Sequence, residues 1–179
     1  MDSICSSIKQ AIANIHTKKI KGWIIDLRVN TGGNMYPMIA GLTDFLGTGK
    51  VGGFYVDSIQ VSPVKYEGYP IKKDLPIAVL ISGYTASSGE MTAITTIGRK
   101  NAVLIGEPSA GYTTTNLGFE LNAYSGLNLA VDYATDRKGR VYPKNITPDH
   151  LVKDGDHFEK LTEDKKVQEA ILWLKKLKR

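Results

Sequence analysis

The chain is short of the residues that staple, ligate or span. It has one cysteine, Cys5, so no internal disulfide can form and no redox compartment can be read from it. It has three histidines, His16, His150 and His157, which with one thiol lack the spacing of a metal-ligand set. No metal is therefore expected. No apolar run is long enough to cross a bilayer, so stable membrane insertion is not expected. The first residues, Met1 to Ser6, have neither the basic stretch nor the long apolar core of a secretory signal. That start reads either as a cytoplasmic protein or as a piece of a longer, exported one. Internal repeats and low-complexity tracts are also lacking.

What is present fits one domain of 179 residues, with 42% apolar and 23% charged residues, enough to bury a core. The net charge of +5 does not by itself point to nucleic acid. The excess is local: Lys18, Lys19 and Lys21, then Lys165, Lys166, Lys175, Lys176, Lys178 and Arg179. The second group lies on an amphipathic helix with Val167, Ala170, Ile171, Trp173 and Leu174, and reads as the solvated face of a docked helix. No nucleic-acid motif accompanies it, so no nucleic-acid partner is expected.

Strand-like and helix-like segments alternate. The pattern predicts a helix over Ser3–Ile15, a strand over Gly22–Leu27, a turn at Asn30–Asn34 and a second helix over Met38–Leu46. A glycine-rich loop is expected at Gly47–Gly53, then an exposed hairpin from Phe54–Val56 and Ile59–Val64, then a linker over Gly68–Pro76. Ile77–Ser82 reads as a strand, Ser87–Ile97 as a helix and Ala102–Ile105 as a strand. Thr113–Leu121 and Leu127–Tyr133 read as extended, and Thr162–Leu177 as a last helix capped by Thr162. The class is α/β, with the Trp23 strand beside the Ile77 strand.

Two loops carry chemistry. Thr85-Ala86-Ser87-Ser88-Gly89-Glu90 lies at a strand-to-helix junction. The first N–H groups of a helix point outward without partners, ready for an oxyanion. The same residues also fit an S-x-x-E capping box with no chemistry at all. The nucleophile elbow G-x-S-x-G is absent, because position 85 is Thr. The second loop, Asp26 to Gly33, ends a strand in a glycine pair. It lacks the lysine and hydroxyl of a phosphate loop. Gly32 and Gly33 let backbone N–H groups approach a bound chain, or simply satisfy a tight turn. Asp26 and Arg28 can brace that loop by pairing.

Four landmarks in order are Asp26 to Gly33, Thr85 to Glu90, Ile105 to Gly111, and Thr147 to Asp149. Together they resemble the C-terminal processing peptidases, or tail-specific proteases. The branch looks most like the nisin-resistance proteases and the tricorn core. The resemblance implies a ClpP/crotonase-like layered fold and a serine endopeptidase that cleaves extended or unfolded segments and needs no cofactor. It implies Ser87 as nucleophile and the N–H groups of Gly33 and Ser88 as oxyanion donors. Gly32 and Thr113 are then the expected substrate contacts, with Thr113–Thr115 offering edge hydrogen bonds to an extended peptide.

The general base does not match. The tail-specific branch has a lysine where this chain has Tyr112, and a phenol is a poor base at neutral pH. The tricorn branch uses a histidine upstream of the Asp-Leu-Arg strand. Among the three histidines here, His150 is the nearest to a candidate base, and His16 is expected at the surface. Residues 1–179 thus read as a single catalytic domain, the C-terminal part of a longer protein, whose base lies upstream. An inactive peptide- or ligand-binding module of the same fold remains the alternative, as in the interphotoreceptor retinoid-binding proteins. An oligomer is compatible with the sequence. The family resemblance favours the bacterial cell envelope or exterior, with the cytoplasm left open.

Overall fold

The apolar run Ile77–Ile81 forms β4, and all five of its side chains are buried. A strand buried on both faces needs a layer on each side. Ile77, Val79 and Ile81 enter one core with Trp23, Met91, Ile94 and Leu104. Ala78 and Leu80, pointing the other way, enter a second core with Val103, Ile105, Val167 and Ala170. Helix α4 (Ser88–Ile94) supplies the first and α5 (Lys165–Lys176) the second. Strands β1 (Trp23–Asp26) and β5 (Ala102–Gly106) pair with β4 in parallel, and β8 (His150–Leu151) completes the order β1-β4-β5-β8. This computed structural model describes residues 3–17, 19–56 and 75–177, and the backbone of 59–66.

A second sheet, antiparallel, has the order β3-β2-β7-β6. Its strands are β2 (Gly49–Val56), β3 (Ile59–Tyr66), β6 (Thr114–Asn122) and β7 (Ser125–Asp136). Helix α1 (Ser3–Ile15) packs on α2 (Met35–Gly41), where a Cβ on Gly41 would stand 2.8 Å from the Ile8 Cβ. The short helix α3 (Thr43–Leu46) follows and buries Phe45 and Leu46. The two sheets meet where α4 touches β7.

Several expectations are corrected. The loop expected at Gly47–Gly53 is mostly strand β2. Its Gly52 is there for close packing, since a Cβ would come 2.9 Å from both Met91 Cε and the Thr135 carbonyl oxygen. The strand is not exposed either: Val51 and Phe54 are buried between neighbours. The helix expected from Met38 begins at Met35, because the Asn34 side chain accepts the Tyr36 N–H and caps it. It then breaks at Leu42 into α2 and α3. The last helix is capped by Asp164, whose carboxylate accepts the Val167 N–H at 3.0 Å, and not by Thr162. Lys166, expected on a solvated face, is fully buried. Most of the linker expected at Gly68–Pro76 lies outside the described residues.

Candidate active site

Strand β4 ends at Ile81, and the turn Ser82 to Ala86 leads into α4 through Ser87. Thr85 fixes that turn from inside the protein. Its hydroxyl donates to the Leu27 carbonyl at 2.8 Å and accepts the Ser82 N–H at 3.0 Å. Ser87 then takes φ 51° and ψ −119°, a conformation that costs a non-glycine residue about 1–3 kcal/mol. Its own N–H donates to Glu90 Oε2 at 2.9 Å, so the backbone half of the expected capping box is formed.

The glycine loop is clamped against this turn. The Ala86 N–H donates to the Asn30 carbonyl at 3.0 Å, and the Ser88 hydroxyl donates to the Gly33 carbonyl at 2.5 Å. Asn30 Oδ1 accepts the Gly32 N–H at 3.1 Å. Gly32 and Gly33 have φ 115° and 116°, which only glycine adopts without strain. A Cβ on Gly32 would also stand 2.9 Å from the Ser87 Cβ. Among the described residues, the N–H groups of Gly33 and Ser88 have no hydrogen-bond partner.

Gly33, Ser87 and Ser88 line one cavity of about 460 Å³. Tyr36, Phe54, Met91 and Ala134 give it an apolar wall, and Thr113 to Asn116 form its rim along the start of β6. Thr113 lines it with little to offer a ligand through its hydroxyl. That hydroxyl donates to the Tyr142 carbonyl, and its carbonyl accepts the Ala134 N–H. Thr114 and Thr115 are half-buried at the same rim.

Glu90 is the residue whose weight the sequence reading missed. It is fully buried, yet no cation pairs with it among the described residues. Its Oε1 accepts the Ser109 hydroxyl and, at 2.8 Å, the Gly111 N–H, while Oε2 takes the Ser87 N–H. Ser109 in turn accepts the Ile146 N–H at 2.7 Å. One carboxylate at the start of α4, where the helix dipole favours negative charge, thus ties the serine turn to the Pro108–Gly111 loop. The available signal was the spacing of Glu90 to Ser109 and Gly111, which no local pattern joins.

Residues 3–152 match peptidase family S41. The chain belongs to this family. It is one of serine-type peptidases. The S41 chain is 35% identical to the nisin-resistance protein of Lactococcus lactis subsp. lactis over 153 residues, covering 76% of this chain and 48% of that protein. It is 30% identical to a chloroplastic carboxyl-terminal-processing peptidase of Arabidopsis thaliana, covering 81% of this chain and 28% of that one. The chain therefore spans about half or less of the length of these curated relatives. Among solved structures, a lipoprotein from Streptococcus agalactiae superposes with a TM-score of 0.77 at 29% identity, covering 99% of this chain and 63% of that chain. The photosystem II D1 C-terminal processing protease (TM-score 0.76, 19% identity) covers 86% of this chain and 40% of its own, and shares the fold. With these neighbours the layered ClpP/crotonase-like α/β assignment stands.

In this S41 chain no acid, lysine or histidine lines the Ser87 cavity among the described residues. His150 sits on β8 with Nδ1 at 2.7 Å from Glu169 Oε1 of α5, so it faces α5 and not the cavity. His16 is not a plain surface residue: its ring stacks on Trp23 at 6.0 Å. Asp149 serves the fold, accepting the Leu104 N–H at 2.8 Å and returning its own N–H to the Leu104 carbonyl.

The bracing expected of Asp26 and Arg28 is part of a larger network. Arg28 is buried and bonds Asp26, Asp156 and Asp164 at 2.5–2.6 Å. Lys166 bonds Asp156 at 2.7 Å and Glu107 at 2.9 Å. Burial opposes charge at Lys166, but the hydrogen bonds it donates to Asp156 and Glu107 prevail and raise its pKa. A lysine held as the cation is no general base.

Proposed function

We propose that this chain is the catalytic domain of a serine endopeptidase that cuts extended or unfolded protein segments. Ser87 is the nucleophile, and the N–H groups of Gly33 and Ser88 hold the oxyanion of the tetrahedral intermediate. The observation that carries this reading is Ser87 at positive φ, sharing a cavity with two N–H groups that have no partner among the described residues. Gly32 brings the substrate backbone close, and the β6 rim beginning at Thr113 receives it as an added strand. Each oxyanion donor of this kind contributes about a hundredfold to a thousandfold in rate.

The base is a histidine supplied from outside these residues, in a segment upstream of the Asp26 strand. The cavity offers no base of its own among the described residues, and the chain spans under half of its nisin-resistance relative. The 179 residues are then the C-terminal part of a longer protein. A cell-envelope or extracellular setting fits the lipoprotein neighbour, and among the described residues no helix is long and apolar enough to cross a membrane. The same lack of a base supports the second reading, a peptide-binding module without turnover.

The test is hydrolysis of a quenched library of unstructured peptides, using this chain and a version extended toward the N-terminus, each beside Ser87→Ala. Turnover in the extended protein that vanishes in Ser87→Ala supports the peptidase. Peptide binding without turnover in the extended protein makes it a binding module.

A further inference from the structure

The β6–β7 hairpin leaves the body of the protein as an arm whose one face is apolar. Leu117, Phe119 and Leu121 alternate along β6, and Leu129 and Leu127 stand opposite Leu117 and Phe119 on β7. Period-two alternation places Leu117, Phe119, Leu127 and Leu129 on a single face, and Leu121 follows at the bulge between Glu120 and Asn122. They are 44–64% exposed, far more than five large apolar side chains in one patch usually are. Charge is nearly absent: Glu120 and Asp132 are the only ionisable side chains between Thr114 and Ala134 apart from two tyrosines, in a chain of net charge +5.

Two further features say what covers this face. First, β6 is an edge strand, with β7 on one side and none on the other among the described residues. Its free side presents a row of N–H and C=O groups to an incoming strand. Second, the arm is continuous with the Ser87 cavity, because Thr113 to Asn116 form the cavity rim and Leu117 follows at once. A strand added at the rim must run on along the arm. Its side chains then fall on the same two faces as those of β6 and pair with them across the new ladder.

We infer that the β6–β7 arm is an extended binding surface for the substrate chain, selecting uncharged segments with large apolar residues at every second position. At about 3.3 Å per residue, Leu117 to Leu121 cover about 13 Å of added strand. Alternating apolar residues of an added strand fit along that length. This rests on the peptidase reading above, and it adds where the substrate is chosen: a surface away from the reacting bond.

Binding to protein carrying Ser87→Ala tests it without turnover. Two fluorescent peptides of equal length are titrated, one with leucine at alternate positions and one with serine in their place. Arm variants Leu117→Thr and Phe119→Thr keep strand propensity while removing the apolar surface. Each is expected to weaken the leucine peptide about tenfold, the scale of one apolar side chain's burial. Binding of the serine peptide and circular dichroism should not change. Equal affinity for both peptides, or arm variants that bind the leucine peptide as the parent does, would overturn the inference. So would sedimentation showing a dimer that the arm variants dissociate, because a second copy would then occupy the face. Selective binding without turnover in the extended protein would leave the arm standing and remove the peptidase reading.

Discussion

Gly89 lies so close to Asn30 that there is no room for a methyl group: a Cβ would collide with the Asn30 carbonyl oxygen and stand 2.9 Å from its Oδ1. The same carbonyl accepts the Ala86 N–H. Asn30 is thus the point where the glycine loop and the serine turn meet, and Gly89 sets their spacing.

Gly89→Ala should push the loops apart. The expected cost is about 1–3 kcal/mol, the range for overpacking a filled site, read as a lower urea midpoint. Labelling of Ser87 by a fluorophosphonate, measured in the extended protein, should fall further than the stability loss explains. Unchanged labelling would mean the loop spacing does not matter to the serine.

Glycine pairs allow a finer comparison. Gly32→Ala and Gly33→Ala face the same backbone strain, with φ 115° and 116°. Only Gly32 abuts Ser87; a Cβ on Gly33 finds its nearest neighbour at 3.8 Å. Gly32→Ala should therefore be the less stable and less reactive of the two in urea titrations and labelling rates.

Every partner of the Glu90 carboxylate is a donor: two N–H groups and one hydroxyl. Glu90→Gln sets an amide N–H₂ against them. A loss of about 1–3 kcal/mol is expected, as for a buried hydrogen-bonding group left without its partner. Removing the partner as well, in Glu90→Gln with Ser109→Ala, should cost less than the sum of the two single changes. Additive losses in a double-mutant cycle would count against the shared network.

Arg28 holds Asp164 in full burial, so Arg28→Met should cost about 3–5 kcal/mol, the penalty for stranding a buried charge. At Asp164, burial alone would raise the pKa. The bonds from the His157 N–H, Arg28 and the Val167 N–H overcome it, and the carboxyl sits below its usual value of 3.8. A depressed folded pKa gives stability that is present above the unfolded value and lost as pH falls through the folded one. Unfolding free energy should therefore drop steeply below about pH 4, and the drop should be shallower in Arg28→Met.

Much of this was legible in the chain. The five-residue run of β4, the glycine pair and the Thr-Ala-Ser turn each announce themselves by local pattern, because burial on two faces and positive φ restrict residue type. The β2 glycines misled for the same reason. Glycine reads as a loop unless one knows that Met91 and Thr135 crowd Gly52 from elsewhere in the chain. Lys166 misled because charge on an amphipathic helix normally faces water, and nothing nearby in sequence shows Glu107 waiting for it.

By itself the sequence determined the alternation of strands and helices, the absence of a disulfide, and the serine turn with its glycine partner. These rest on interactions within a few residues, where composition and spacing carry the physics. Only the tertiary structure decided that Glu90 binds Ser87 to Ser109 and Gly111, that His150 pairs with Glu169 of α5, and that the apolar face of the β6–β7 arm leads away from the Ser87 cavity. Those facts depend on segments brought together from distant parts of the chain, whose closure entropy is offset by burial and hydrogen bonds that no local pattern encodes.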